Sequence, residues 1–390
     1  MVANGWNKVS IGQDCILKAR IGWQGLTTKE YRDNGNYFLV TGTDFDNGLV
    51  NWDSCHYIDK WRYEQDKNIQ LQKDDILITK DGTIGKVGYV EDLRLPATLN
   101  SGIFVIRPKT KDIIPKYLYY VFTSKIFEEF LKKLAAGSTI NHLYQKDFVY
   151  FDFDIPNPSE QKAIAKALSD VDGLIASLEA LIEKKEHIKT ATMQQLLTGK
   201  KRLDGFSGEW VERKLGEVAN LYQPQTISQN DLFSDGYLVF GANGIIGKYA
   251  FYNHKTWQII ITCRGSTSGT VSKTTNYCWI TGNAMVVNID KNKDLNKDFF
   301  YYLLKYQNFK TLVSGSGQPQ ITREPLEEFK IFLPKSKKEQ QAIAQILSDM
   351  DKEIEALKTK LEKTKAIKRG MMQELLTGRV RLLGENNEKI

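Results

Sequence analysis

The chain has 390 residues, a formal net charge of +7 from 54 basic and 47 acidic side chains, and 41% hydrophobic residues. That length suits two or more domains. No apolar run approaches the roughly 18 residues of a membrane span and nothing at the N-terminus resembles a signal peptide, so a cytoplasmic chain without a membrane role is expected.

Residues 1–158 read as a mixed α/β domain. The apolar, aromatic-rich runs at 37–40, 76–78 and 103–106 are bounded by Gly, Asn and Asp, which marks strands. A helix is expected over 115–134, with Pro115 in its opening turn and Gly137 past its end. Cys15, Cys55, Cys263 and Cys278 have no CxxC spacing, and only Cys55-His56 pairs two metal-ligand types, so buried free thiols are expected and no metal site. Pro156 and Pro158 mark the hand-over to the next region.

From Glu160 to Leu203 the chain reads EQKAIAKALSDVDGLIASLEALIEKKEHIKTATMQQLLTGKKRL, and from Glu339 a second 44-residue stretch matches it without a gap at 23 positions. Ile164, Leu168, Val171, Ile175, Leu178 and Ile182 step by alternating fours and threes, and Ile343, Leu347, Met350, Ile354, Leu357 and Leu361 repeat those steps. This is a heptad seam. Gly199 and Gly378 stand where helix C-caps belong, and a helix from Glu160 to Leu197 is roughly 57 Å long at 1.5 Å per residue. The 3.5-residue period favours two stripes packed on each other as a two-helix spacer; the alternative is that each stripe packs on its own neighbouring domain.

Residues 204–334 pass through the same stations as the first domain. Trp6-x4-Ile11-Gly12 is matched by Trp210-x4-Leu215-Gly216, ITKDGT from Ile78 by ITCRGS from Ile261, and Tyr117-Leu118-Tyr119-Tyr120 by Phe299-Phe300-Tyr301-Tyr302. GSTIN from Gly137 is matched by GSGQPQ from Gly315, and Ile155-Pro156 by Leu333-Pro334. The expected order is therefore domain (1–158), helical region (159–203), domain (204–334), helical region (335–390). The fold class is α+β, with two mixed domains separated by two long antiparallel helices. The link that follows the first repeat, KKRLDGFSGEW, leads into Trp210; after the second repeat its counterpart is the ANGW at the start of the chain. That implies a circular arrangement with pseudo-twofold symmetry.

Charge divides unevenly. Residues 1–158 hold 20 basic and 20 acidic side chains and residues 204–334 hold 13 and 12, while the repeats carry 8 against 6 and 13 against 9. Any nucleic-acid contact by the two near-neutral domains must use locally placed groups, with much of the phosphate neutralisation supplied elsewhere.

QQLLTGKKRLDGFSGEW from Gln194 to Trp210 is similar to the central region of type I restriction-modification specificity subunits, and RIGWQGLTTKEY from Arg20 resembles their recognition domains. The resemblance covers essentially the whole chain. It implies two target-recognition domains, each reading half of a bipartite asymmetric site on double-stranded DNA, and helices that set the spacing and dock two methyltransferase subunits and the restriction (nuclease-translocase) subunits. Such a subunit is not itself an enzyme, and S-adenosylmethionine, ATP and Mg are expected on its partners.

The residues agree with this. VFGANG from Val239 faintly suggests a methyltransferase FxGxG loop, but Ile245-Ile246-Gly247-Lys248-Tyr249 looks like a strand where a helix should open. Asn157-Pro158-Ser159-Glu160 does not supply the NPPY tetrad that holds a flipped adenine. Asp154 with Glu160-Gln161-Lys162 has the outline of a nuclease site, yet Lys162 becomes Gln341 in the second repeat and an acid suits a helix N-terminus. Gly82-x-x-Gly85-Lys86-Val87 lacks the length and hydroxyl of a Walker A loop.

Recognition remains, and base edges favour Arg or Lys on guanine and Asn or Gln on adenine. The candidate DNA-binding residues are Arg20, Trp23, Gln24, Lys80, Thr83, Lys86, Ser138, Thr139, Asn141 and His142 in the first domain. In the second they are Gln223, Gln225, Asn243, Lys248, Arg264, Ser266, Thr267, Gln318, Gln320 and Arg323. Gly82, Gly85 and Gly265 are expected to permit tight turns or close backbone approach to phosphate. The rival reading is a two-headed scaffold that binds proteins and makes no DNA contact of its own.

Overall fold

The computed structural model describes residues 5–135, 142–315 and 319–382. They form two compact units, one of residues 1–177 with 361–390, the other of residues 178–360. Each unit therefore contains one globular domain and pieces of both long helices, which run Pro158–Leu196 and Lys337–Leu375.

In the first unit a six-stranded sheet contains Cys15–Ala19, Ile103–Pro108, Ile76–Thr79 and Val87–Tyr89 in that order, followed by the two-residue strands Leu49–Val50 and Phe45–Asp46. A smaller sheet places Phe38–Val40 between His56–Tyr57 and Ala97–Leu99. The ribbon Asn7–Ser10 with Asp152–Ile155 closes the domain. The second unit repeats this plan with a four-stranded sheet of Asn220–Tyr222, Ala284–Asn288, Ile259–Thr262 and Val271–Lys273. Its three-stranded sheet has Tyr237–Gly241 between Gly244–Tyr249 and Trp279–Ile280, and its ribbon is Trp210–Lys214 with Lys330–Pro334. The central strands Ile76–Thr79 and Ile259–Thr262 are buried at every position, as β-branched runs covered on both faces should be.

The helix expected over 115–134 is two helices, Pro115–Phe122 and Lys125–Leu134. Ser124 accounts for the break: its hydroxyl accepts the amide of Ile126 and so caps the second helix. The first of the pair buries Tyr117 through Phe122 against the six-stranded sheet, and Lys297–Tyr306 buries Phe299 through Leu304 in the second unit. Gly244–Tyr249 is a strand, as read. All four cysteines are buried free thiols, and burial raises Cys15 and Cys55 to about 12.

Both readings of the seam hold, at different points along it. Ile164 and Leu168 are fully buried in the core of the first domain, together with Leu375 and Leu376 from the other repeat. In the second unit Ile343 and Leu347 share a core with Leu196 and Leu197. Farther from the domain core, Ile182 and Ile354 are also buried, where Lys185–Glu353 at 2.7 Å and Lys358–Glu186 at 2.6 Å tie the helix segments. The partners of ascending positions descend in each unit, from Glu160–Arg381 to Asp172–Lys368 in the first and from Glu339–Arg202 to Asp351–Lys189 in the second. The segments are therefore antiparallel. Each fully buried Ile or Leu contributes about 1.5–3 kcal/mol, so the apolar stripe dominates over the exposed ion pairs beside it.

The helix starts are built alike. Glu160 is fully buried and takes Arg381 in a fork at 2.6 and 2.7 Å, and Glu339 takes Arg202 at 2.6 and 2.8 Å. The neighbouring Gln161 donates to the carbonyls of Asp112 and Pro156 and accepts the amide of Ile114, and Gln340 does the same with Asp294, Pro334 and Asn296. Glu160 is thus a structural residue, as the sequence suggested. No helix among the described residues is long and apolar enough to cross a membrane.

Candidate nucleic-acid interface

The matched turns after the two central strands close in the same way, the second being one residue longer. Gly85 donates its amide to Thr79 at 2.9 Å, and Gly269 donates to Thr262 at 2.9 Å. Both turns need left-handed backbone twice, with φ of +68° and +77° at Gly82 and Gly85 and +88° and +90° at Gly265 and Gly269. A β-carbon at Gly85 would also strike Leu131. These conformations favour glycine because the Cβ of other residues crowds the backbone there. Gly269 is not legible as its counterpart in the sequence, because it stands eight positions after Ile261 where Gly85 stands seven after Ile78.

Each turn gathers two other loops. Lys80 donates its amide to Gly102 at 2.9 Å and accepts that of Leu143 at 2.8 Å; Cys263 donates to Asn283 at 3.1 Å and accepts that of Ile321 at 2.9 Å. In the first unit this places Lys80 beside His142, which bonds to Asp81 and whose ring centroid lies 4.5 Å from that of exposed Tyr144, with exposed Thr83 and half-buried Lys86 farther along the same turn. The Lys86 ammonium reaches the carbonyl of Gly42 at 3.4 Å. The 22–26 segment, with Gln24, joins through Ser101, whose hydroxyl would lie 3.1 Å from a β-carbon at Gly25.

Arg20 does not belong to this surface. It is 1% exposed, and its guanidinium donates to the Leu99 carbonyl at 2.7 Å, to Gln65 at 3.1 Å and to Thr98 at 3.2 Å. Burial, with the Arg62 charge nearby, lowers its pKa to about 10. A group so enclosed braces the loop from within and cannot reach a base edge. Trp23 sits on the short 3-10 turn Gly22–Gln24, but its side chain lies outside the described residues, as do Ser138, Thr139, Asn141 and Gln318.

In the second unit Arg264, Ser266 and Gln320 are exposed, and Arg264 and Gln320 are bridged by backbone pairing. Thr267 donates to the Asn243 side chain, which brings the Gly241–Gly244 hairpin tip to the same place. Gln223 donates to Gly282 at 3.0 Å, and the Gln225 carbonyl accepts from the Trp279 indole at 3.3 Å, so both stand beside the 282–283 loop. Lys248 is set back along the hairpin strand and pairs with Asp235 at 3.5 Å. Arg323 pairs with Glu327 at 2.7 Å and lines a separate cleft with Gly216, Glu217 and Asn220. Among the described residues no three His, Cys, Asp or Glu side chains are grouped to hold a metal ion.

Each unit thus presents a cluster of amide, hydroxyl and cationic groups on three loops braced by one strand-end turn. A family model described as the type I restriction modification DNA specificity domain matches residues 4–188 and again 207–366, and the chain belongs to that family. Curated relatives include the type I restriction enzyme MjaVIII specificity subunit of Methanocaldococcus jannaschii, 27% identical over 82% of both chains. The EcoprrI specificity subunit of Escherichia coli is 25% identical over 83% of this chain and 82% of its own. The fold is that of the S subunit of the M. genitalium type I restriction-modification system, with a TM-score of 0.66 at 21% identity over 96% of this chain and 99% of the other.

Proposed function

We propose that each unit's loop cluster reads one half of a bipartite, asymmetric site on double-stranded DNA, the first through the 80–86 and 142 loops, the second through the 264–268, 243 and 320 loops. The helices then set the spacing between half-sites and dock two methyltransferase subunits and the restriction subunits. The catalytic steps, with S-adenosylmethionine, ATP and Mg, belong to those partners, and this chain supplies sequence specificity. The observation that carries the reading is the correspondence of the two turns and their bracing loops beside unlike side chains, half-buried His142, Lys80 and Lys86 in one and exposed Arg264, Asn243 and Gln320 in the other. A common frame with different reading groups is what recognition of two different half-sites requires.

Methylome comparison of cells with and without this gene tests it. One bipartite motif should lose methylation on deletion. Replacing residues 1–158 with the corresponding domain of a relative should change one half of that motif only. A two-headed scaffold would leave the motif unaltered, and the assembled complex would show no salt-dependent DNA binding.

A further inference from the structure

The tip of the hairpin in the second unit carries two consecutive exposed β-branched apolar residues, Ile245 and Ile246, 58% and 50% exposed. Regular alternation would send one of them inward. The register breaks here instead, since Phe240 faces Ile245 while Val239 faces Gly247, and the irregularity leaves Ile246 unpaired. Gly241 accommodates the result, because a β-carbon there would lie 2.9 Å from Ile246 Cγ2. Gly244, at φ +111°, closes the turn. The tip is anchored beside the reading loops through Thr267 to Asn243.

The corresponding strand end in the first unit has no such pair. Phe38–Val40 is followed by Thr41, Gly42 and Thr43, and then by the buried Asp44 and Phe45. The apolar tip therefore belongs to one domain and is not part of the shared frame, which is where a half-site-specific contact should appear.

We propose that Ile245 and Ile246 are specificity-determining residues that read the C5-methyl group of a thymine in the major groove of the second half-site, flanked by the hydrogen-bonding groups of Asn243, Thr267 and Arg264. The thymine methyl is the apolar feature of the major-groove edge, and apolar side chains are its natural contact. Burying it removes both the methyl and the isoleucine surface from water. This rests on the DNA-reading role proposed above.

The test uses the full chain assembled with its methyltransferase partner and duplexes of the mapped motif in which each thymine of the second half-site is replaced singly by deoxyuridine, which deletes only the methyl. One replacement should weaken binding about threefold to tenfold. The Ile245→Ala/Ile246→Ala variant should bind the thymine duplex correspondingly more weakly and lose the discrimination between the two bases. Deoxyuridine in the first half-site should affect wild type and variant alike, which shows that the variant is folded and still reads the other half. A second half-site without thymine, wild-type binding indifferent to every second-half replacement, or a variant that discriminates as wild type does would overturn the proposal. Absence of any motif dependent on this chain would instead overturn the DNA-reading role itself, and this proposal with it.

Discussion

Arg381 closes over Glu160 from 221 positions away, its guanidinium gripping a carboxylate that is wholly buried at the start of the first long helix. A buried carboxylate is tolerated only while its charge is matched. Arg381→Ala should therefore cost about 3–5 kcal/mol of stability, whereas the double variant Arg381→Met/Glu160→Leu should recover most of that loss. Urea unfolding of the three proteins decides this, and equal loss in single and double variants would contradict it.

Because Arg202 does for Glu339 what Arg381 does for Glu160, one half of the chain contains the means to complete itself with a second copy. Residues 1–203 lack Met372, Leu375, Leu376 and Arg381, but the repeat supplies Met193, Leu196, Leu197 and Arg202 at the matching positions. We expect this fragment to form an antiparallel homodimer that, with the methyltransferase subunit, methylates a palindrome of the first half-site. Light scattering and methylation mapping check it. A soluble monomer, or a dimer modifying the original asymmetric motif, would show that the helices are not interchangeable.

Asp351 receives the Tyr302 hydroxyl at 2.6 Å and pairs with Lys189. Burial raises its pKa, but the Lys189 ammonium and the Tyr302 hydroxyl outweigh it and hold the carboxyl below its ordinary value. A group depressed in the folded state adds stability above its unfolded pKa of about 3.9 and loses it as pH falls through the folded value. Asp351→Asn should lower the melting temperature at pH 7, and the gap to wild type should close as pH falls from about 5 towards 3. Melting curves that stay parallel across that range would remove the ion pair from the account.

Arg264 is exposed on the turn after Ile259–Thr262, and Lys86 is half-buried on the turn after Ile76–Thr79. Arg264→Ala should cost about 1–3 kcal/mol in binding and relax one position of the second half-site, leaving the first unchanged. A uniform loss across all sequences, with a shallower salt dependence, would make it a phosphate contact.

The helical repeat and the order of stations were legible because they rest on local spacing: the heptad steps from Ile164, and ITKDGT against ITCRGS. The helix break at Ser124 is also written locally, as a capping residue inside a helical pattern, but the flanking apolar residues continue the period and mask it. The inward placement of Arg20 is hidden for a different reason. Its partners Gln65, Thr98 and Leu99 come from elements 45 to 79 positions away, and nothing within the loop distinguishes an inward arginine from an outward one. At the hairpin tip the sequence displays the asparagine but not the exposure of Ile245 and Ile246, which depends on a register irregularity that only the paired strand reveals.

The swapped closure at the helix starts also orders events during synthesis. Residues 178–360 form a unit from one continuous stretch, but the unit begun by residues 1–177 is finished only by the segment from 361 onward. At about 5–20 residues per second, Glu160 waits about 10–45 s on the ribosome for Arg381. During that interval the first domain is translated but unsealed, with Ile164 and Leu168 lacking their partners, while the domain encoded after it already has every piece it needs. The later half of the message should thus acquire its native protection first, reversing the usual N-to-C sequence of domain maturation.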